Sequence, residues 1–329
     1  MKPKVFVTRR LPDEVMNFLE DHFSLDLNPH DKVLTREELL RSVKGIDGLL
    51  CLLTDKIDAR VMDAAGGNLK IIANYAVGYN NIDVDAATAR GIVVTNTPGV
   101  LTDTTADLTM ALMLATARRI VEADRFVRQG KFKGWAPLLF LGADMHNKTL
   151  GIVGFGRTGY AVAKRAVGFD MQILYYSRHK ASPEKESTVK ATFVDLETLL
   201  REAHFVSIHV PLTPETRYLI GEKELRLMRP DAFLINTSRG EVVDESALAD
   251  ALKKGRIKGA GLDVFEREPE VHPDLLELGN VVLLPHIGSA SIETRTKMGI
   301  VAANNLLEKL IKGQKAPNTV NPEVYTIAN

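Results

Sequence analysis

Three polar residues late in the chain each stand just beyond a short apolar run. Arg239 follows Phe233-Leu234-Ile235-Asn236-Thr237-Ser238, Glu268 comes soon after Gly261-Leu262-Asp263-Val264-Phe265, and His286 follows Val281-Val282-Leu283-Leu284-Pro285. Taken singly, each has a plain reading: a surface ion-pair partner, a solvated loop charge, and a histidine hydrogen-bonded to backbone. As a set they describe a chemistry. An arginine can clamp a carboxylate and polarise the carbonyl beside it. A histidine can deliver a proton near neutral pH, and a neighbouring carboxylate would hold its tautomer.

A fourth feature says what kind of reaction such a set serves. Gly154-Phe155-Gly156-Arg157-Thr158-Gly159 lies between the apolar run Thr149–Val153 and the helical pattern Tyr160–Ala166. In that setting the first glycine permits the tight turn, the second lets the backbone approach a pyrophosphate, and the third lets helix and strand pack closely. The helix start adds free amides and the positive end of its dipole. A dinucleotide site is therefore expected. The next strand ends Tyr176-Ser177-Arg178-His179-Lys180, with no carboxylate to accept ribose hydroxyls. A hydroxyl followed by three cationic or titratable side chains suits a 2′-phosphate, so NADP(H) is expected over NAD(H), with NAD(H) or a merely solvated basic turn as the alternatives.

These residues need a sheet to place them. In the first hundred residues Val5–Thr8, Gly48–Leu53, Leu69–Ala73 and Ile92–Thr95 read as strands alternating with helical stretches, one of them opened by the capping box Thr35-Arg36-Glu37-Glu38. Asn96-Thr97-Pro98-Gly99 then punctuates the chain, and one long helix is expected from Thr102 to Gln129, stopping at Gly130. A second series has six strands: Thr149–Val153, Gln172–Tyr176, Phe205–Val210, Ala232–Asn236, Gly259–Val264 and Val281–Leu284. A helix Ser291–Lys312 follows. Strand–helix alternation implies parallel α/β sheets. The glycine loop, Arg239, Glu268 and His286 would then all leave the carboxyl edge of the second sheet and meet in one crevice.

The composition narrows the partners. With 329 residues, 45% hydrophobic and 26% charged, the chain is long enough for two domains and ordinary for a globular protein. Lys+Arg 42 balances Asp+Glu 42, and no basic block exceeds a pair, which argues against nucleic acid or an anionic membrane surface. The single cysteine, Cys51, sits in an apolar run and reads as a core residue in a reducing compartment. The first residues lack the apolar stretch of a signal peptide, and the best membrane candidate, Ala106–Ala117, is too short and holds Asp107. A cytoplasmic protein is expected. No metal site is expected either: His204 and His209 would fall on opposite faces of a strand, and no HExxH pattern occurs.

The chain resembles the D-isomer-specific 2-hydroxyacid dehydrogenase family, most closely its glyoxylate/hydroxypyruvate reductase branch, over almost its whole length. The resemblance is carried by Ala76-Val77-Gly78-Tyr79-Asn80-Asn81-Ile82-Asp83, Thr97–Thr102, the glycine loop, Asn236-Thr237-Ser238-Arg239-Gly240, Asp263–Glu266 with Glu268-Pro269, and Pro285–Ala290. It implies a Rossmann-type doubly wound sheet for residues 99–286, and a flavodoxin-like substrate domain made of residues 1–98 plus 287–329, with closure about a hinge crossed twice. By similarity His286 is the proton donor paired with Glu268, Arg239 binds the substrate carboxylate and carbonyl, and the amides of Val77 and Gly78 are a second carboxylate anchor. Thr104, Gly154, Phe155, Gly156, Arg157, Thr158, Ser177, Arg178, His179, Val210, Pro211, Thr216, Thr237, Ser238, Asp263, His286 and Gly288 match positions that line the cofactor.

The substrate implied is a small 2-oxo acid, with Leu52, Leu53 and Trp135 as candidates to narrow the pocket. Trp135 would reach toward a partner subunit's site, or else simply pack in an interface or core. The expected reaction is NADPH-dependent reduction of glyoxylate to glycolate and of hydroxypyruvate to D-glycerate. The alternatives are a D-lactate or D-glycerate type enzyme using NADH and, in another class, a nucleotide-sensing corepressor. A homodimer is expected from the family habit and from the Thr102–Gln129 segment, apolar on several faces. Asp170 departs from the family, whose members usually carry glycine there.

Overall fold

In the computed structural model, which describes residues 1–327, the chain forms two compact units. One comprises Met1–Leu101 with the segment from Ala290 onward, the other Thr102–Ser289.

The first unit is built on five parallel strands, β1 (Lys4–Val7), β2 (Ser24–Leu27), β3 (Gly48–Cys51), β4 (Ile71–Asn74) and β5 (Val93–Thr95), in the order β2-β1-β3-β4-β5. This is the flavodoxin-like order. Successive side chains of a strand point to opposite faces, and here both faces are apolar. Val5, Leu50 and Ala73 pack with Met298, Ala302 and Leu306 of the helix Ile292–Leu310. Phe6, Leu49 and Ile72 pack with Leu39, Val61 and Met62 on the other side. Cys51 is fully buried in that second core. The Thr35–Glu38 capping box forms, with Glu38 Oε2 accepting the Thr35 amide at 2.8 Å.

The second unit carries seven parallel strands, β6 (Thr149–Val153), β7 (Gln172–Tyr176), β8 (Ala191–Phe193), β9 (Phe205–Ile208), β10 (Phe233–Asn236), β11 (Gly259–Leu262) and β12 (Val281–Leu283), ordered β12-β11-β10-β9-β6-β7-β8. Counted from β6, the order is that of a doubly wound dinucleotide-binding sheet with one added strand. Its topological switch point falls between the neighbouring strands β6 and β9.

Two strands escape the sequence pattern. β2 and β8 are edge strands with half-exposed or exposed faces, and the three-residue β8 gives the second sheet seven strands rather than six. The long helix is also two: Thr102–Ala117 and Ile120–Arg128, broken at Arg119 with φ 55°. The break has a cause in the returning chain, because the Ala143 amide takes the Ala117 carbonyl at 2.9 Å and so ends the first helix. Arg119 then pairs with Glu122 and lies 5.1 Å from the Phe140 ring centroid. The apolar faces of Thr102–Ala117 are covered within the unit, where Ala106, Met110, Leu112 and Met113 join the core containing Ile152 and Ile235. That half of the Thr102–Gln129 segment therefore supplies no argument for a dimer, while Ile120, Val121 and Val127 of the second helix stay exposed. Asp170 has φ 53°, a left-handed conformation that glycine adopts without strain, which accounts for the glycine usual in the family.

Candidate active site

The carboxyl edge of the second sheet gathers the glycine loop, Arg239, Glu268 and His286. Gly154 leaves β6 with φ 98°, and Gly156 N-caps the ten-residue helix Arg157–Ala166 with no side-chain cap. The first amides of that helix thus remain available to a ligand. A Cβ at Gly156 would meet nothing within 4 Å, so protein packing does not require glycine there and the space before the backbone is open. A Cβ at Gly159 would lie 2.1 Å from the Gly154 carbonyl oxygen, so helix and loop meet backbone to backbone. Both features fit a pyrophosphate cradle. Phe155 turns its ring into the core, stacked on Tyr175 at 4.0 Å, leaving only its backbone to the loop. Arg157 and Thr158 form the helix's first turn.

After β7, Ser177 bonds the His179 carbonyl, while Arg178 and His179 are exposed. Lys180 pairs with Glu186 at 3.6 Å, whereas Arg178 forms no ion pair among the described residues. After β9, Thr216 donates to the Pro211 carbonyl at 2.6 Å and fixes the turn that begins at Val210 and Pro211. His209 bonds Ser207, and burial pushes its imidazole pKa down to about 3. His204 has a structural role, its Nδ1 accepting the Thr149 amide at 3.2 Å.

The three candidate reacting groups are placed by buried polar residues at strand ends. Asn236, the last residue of β10 and 1% exposed, donates to the Arg239 carbonyl at 2.8 Å and accepts from both the amide and the hydroxyl of Ser238. Arg239 is partly buried and donates to the Ser238 carbonyl at 2.7 Å, yet no carboxylate lies within ion-pair distance among the described residues. Burial lowers its pKa, with Glu268 and Glu241 opposing. A desolvated cation without an ion-pair partner is costly unless an anion arrives.

Glu268 accepts the Phe265 amide with Oε1 at 3.1 Å and faces His286 Nδ1 with Oε2 at 2.8 Å. Burial works to raise the Glu268 pKa, but the His286 bond and charge, the Phe265 amide and Arg239 outweigh it and leave the carboxyl below its ordinary value. A carboxylate at Nδ1 fixes the tautomer with that nitrogen protonated, and no described residue bonds Nε2. His286 itself has φ 55°, an uncommon backbone state for a non-glycine residue. Asp263, 1% exposed, holds it there: its carboxylate accepts the Ile287 amide at 2.7 Å and the Gly288 amide at 2.8 Å. The same contacts run to the helix Thr102–Ala117, where Thr105 donates to the Gly288 carbonyl at 3.2 Å and Thr109 bonds Thr237 at 2.9 Å. Thr104 lies on the first turn of that helix.

The remaining candidates divide by location. In the first unit, the Val77 carbonyl accepts from Asn96 and the Gly78 carbonyl from Asn74, at 2.8 and 2.9 Å, and neither amide donates within the described chain. Leu53 is exposed just past β3. Trp135, in the second unit, is 84% exposed and belongs to a run of exposed apolar residues with Phe132, Leu138 and Leu141. Asn236, which the sequence offered only as part of a motif, and Glu245, which lies in none and whose buried carboxylate accepts the Glu266 amide at 2.7 Å, hold loop backbone in place.

An open doubly wound sheet with a glycine-rich helix start at its switch point, beside an Arg–Glu–His set, defines an NAD(P)-dependent oxidoreductase. The chain belongs to the D-isomer specific 2-hydroxyacid dehydrogenase family, whose NAD binding domain matches residues 110–288. Glyoxylate reductase of Thermococcus litoralis is 57% identical over 330 residues, covering 99% of each chain. Glyoxylate reductase of Korarchaeum cryptofilum is 55% identical over 331 residues, covering 99% of this chain and 98% of its own. Among solved structures, the NADPH-dependent glyoxylate/hydroxypyruvate reductase of Sinorhizobium meliloti, in complex with NADP and malonate, superposes with TM-score 0.84 at 35% identity, covering 97% of both chains. No helix among the described residues is long and apolar enough to cross a membrane.

Proposed function

We propose that this protein reduces glyoxylate to glycolate and hydroxypyruvate to D-glycerate with NADPH. The observation that carries the reading is the His286–Glu268 pair at 2.8 Å beside a partly buried Arg239 that lacks an ion-pair partner. Bound along the glycine loop, the reduced nicotinamide supplies the hydride. Arg239 holds the substrate carboxylate and polarises its carbonyl, with the open amides of Val77 and Gly78 as the second carboxylate anchor and Leu53 and Trp135 narrowing the space. His286 delivers the proton from Nε2 to the carbonyl oxygen, while Glu268 keeps Nδ1 protonated and the ring in place. Ser177, unpaired Arg178 and His179 receive the 2′-phosphate. The names of the curated relatives support glyoxylate as the substrate.

The exposed run Phe132–Leu141 is the surface for a homodimer, and the free, buried Cys51 suits a cytoplasmic location. The decisive experiment follows reduced-nicotinamide absorbance with purified protein, crossing NADPH and NADH with glyoxylate, hydroxypyruvate and pyruvate. Turnover confined to NADH and pyruvate would overturn the assignment. An Arg178→Ala enzyme with unaltered NADPH/NADH selectivity would remove the phosphate role, and a monomer by light scattering would remove the dimer.

A further inference from the structure

The segments that follow β3 and β4 in the first unit are tied together by two asparagine side chains. Asn74, fully buried at the end of β4, and Asn81 pair their carboxamides reciprocally. Asn74 Nδ2 donates to Asn81 Oδ1 at 3.2 Å, and Asn81 Nδ2 donates to Asn74 Oδ1 at 3.3 Å. Each amide also reaches outward. Asn74 Nδ2 donates to the Gly78 carbonyl at 2.9 Å, and the two N–H bonds of Asn81 Nδ2 are shared among Asn74 Oδ1 and the carbonyls of Leu52 at 3.0 Å and Asp55 at 3.2 Å. The Asn81 carbonyl accepts the Ile57 amide at 2.8 Å. The Asp55 carboxylate, 4% exposed, accepts the Leu52 amide at 2.8 Å and the Thr8 hydroxyl at 2.5 Å, anchoring the assembly to the end of β1.

Residues 52–57 and 76–81 therefore cannot shift independently without stranding buried polar groups, each of which is costly to leave unpaired. Leu53 belongs to the first segment, and Val77 and Gly78, with their open amides, to the second. The Val77 amide shares its peptide plane with the Ala76 carbonyl, which accepts the Thr97 amide at 2.9 Å, and the Gly78 amide shares its plane with the Val77 carbonyl, which accepts from Asn96 at 2.8 Å; Asn74, by holding the Gly78 carbonyl, pins the next plane and so limits rotation of the turn that carries both amides.

We infer that the Asn74–Asn81 amide pair is a positioning device that sets the Leu53 wall and the Val77–Gly78 amides as one piece, and thereby sets selectivity for the smallest 2-oxo acids. The inference rests on the reading that those two amides hold the substrate carboxylate. Asn81→Asp tests it with almost no change of shape: a carboxylate cannot donate, and it would face the acceptors of Asn74, Leu52 and Asp55.

The expected result is a KM for glyoxylate raised about tenfold and a preference for glyoxylate over pyruvate reduced at least about fivefold, the range a methyl-sized pocket change commands. NADPH affinity, titrated by fluorescence, should stay within about twofold, because the glycine loop belongs to the other unit. A fold-preserving Asn81→Asp enzyme with KM and selectivity both within about twofold of the parent overturns the inference. Should that variant fail to fold, Thr8→Val removes a single bond to Asp55. It should move selectivity in the same direction by about two- to threefold, and unchanged selectivity there is equally fatal. Val77→Pro deletes one anchoring amide outright. If it leaves KM unmoved, the carboxylate-anchor reading fails; if it raises KM while folded Asn81→Asp does not, the positioning inference alone fails.

Discussion

Gly240→Ala should break the site without touching any group that contacts substrate or cofactor. A Cβ at position 240 would lie 1.9 Å from the Phe265 carbonyl carbon, 2.1 Å from its oxygen and 2.3 Å from the Glu266 nitrogen. Ordinary contact begins near 3.4 Å, so the two backbones must part by about 1.5 Å, and neither can swing aside as a flexible side chain would. The displaced strand end leads to Glu268, and the displacing one carries Arg239. A 2.8 Å bond between Glu268 and His286 does not survive a shift of that size. Misplacement of about 1 Å costs on the order of 10²-fold in rate, and overpacking costs about 1–3 kcal/mol of stability. Steady-state kinetics and denaturant melts of Gly240→Ala measure both. The cycle with Glu268→Gln supplies the sharper test: if the damage runs through Glu268, the double variant should be scarcely slower than the worse single one. Rates that multiply independently, or a Gly240→Ala kcat within threefold of the parent, refute the reasoning.

His286→Ala should lower kcat by about 10²–10⁴-fold, and Glu268→Gln, which keeps an acceptor but loses the charge, should lower it less while changing the pH–rate profile; near-normal turnover in the first, or an unchanged profile in the second, removes the acid–base assignment. Half-buried His209, bonded to Ser207, links stability to pH. Its folded pKa of about 3 lies below the ordinary 6.5, so the unfolded chain binds the extra proton, and stability complete above pH 6.5 falls as pH drops toward 3. The loss is at most about 1.4 kcal/mol per pH unit, and urea melts at pH 7 and 5.5 should show a flatter dependence for His209→Asn than for the parent. Cys51, fully buried with burial pushing its thiol pKa well up, should resist alkylation by iodoacetamide in the native state and react on unfolding; rapid native labelling would show that this core opens.

The grouping of Arg239, Glu268 and His286 was readable because each comes soon after an apolar run, and parallel strands bring the residues beyond their carboxyl ends to one edge. The features that escaped did so for physical reasons. β2 and β8 lie at sheet edges, where one or both faces stay wet and apolar periodicity fades. The break at Arg119 is imposed from a distance, by an amide 26 residues after the Ala117 carbonyl it takes, and no local signal announces it. The inward turn of the Phe155 ring depends on Tyr175, a residue of the neighbouring strand.

The positioning residues form a pattern of their own. Asn74 ends β4, Asn236 ends β10, and Asp263 follows β11 directly. All three are essentially inaccessible, and each spends its side chain on the backbone of a loop that carries proposed site residues: Gly78, Ser238 with Arg239, and Ile287 with Gly288. A strand end delivers a loop but does not shape it, because the loop's own amides and carbonyls have no ladder to join. An Asn or Asp closing an otherwise apolar run supplies those partners from within the core, at a point the sheet already holds rigid. That sequence signal, a carboxamide or carboxylate closing a buried strand, locates the loops whose conformation the chemistry depends on. It also explains why an apolar substitution at any of the three should harm turnover more than its distance from the substrate suggests.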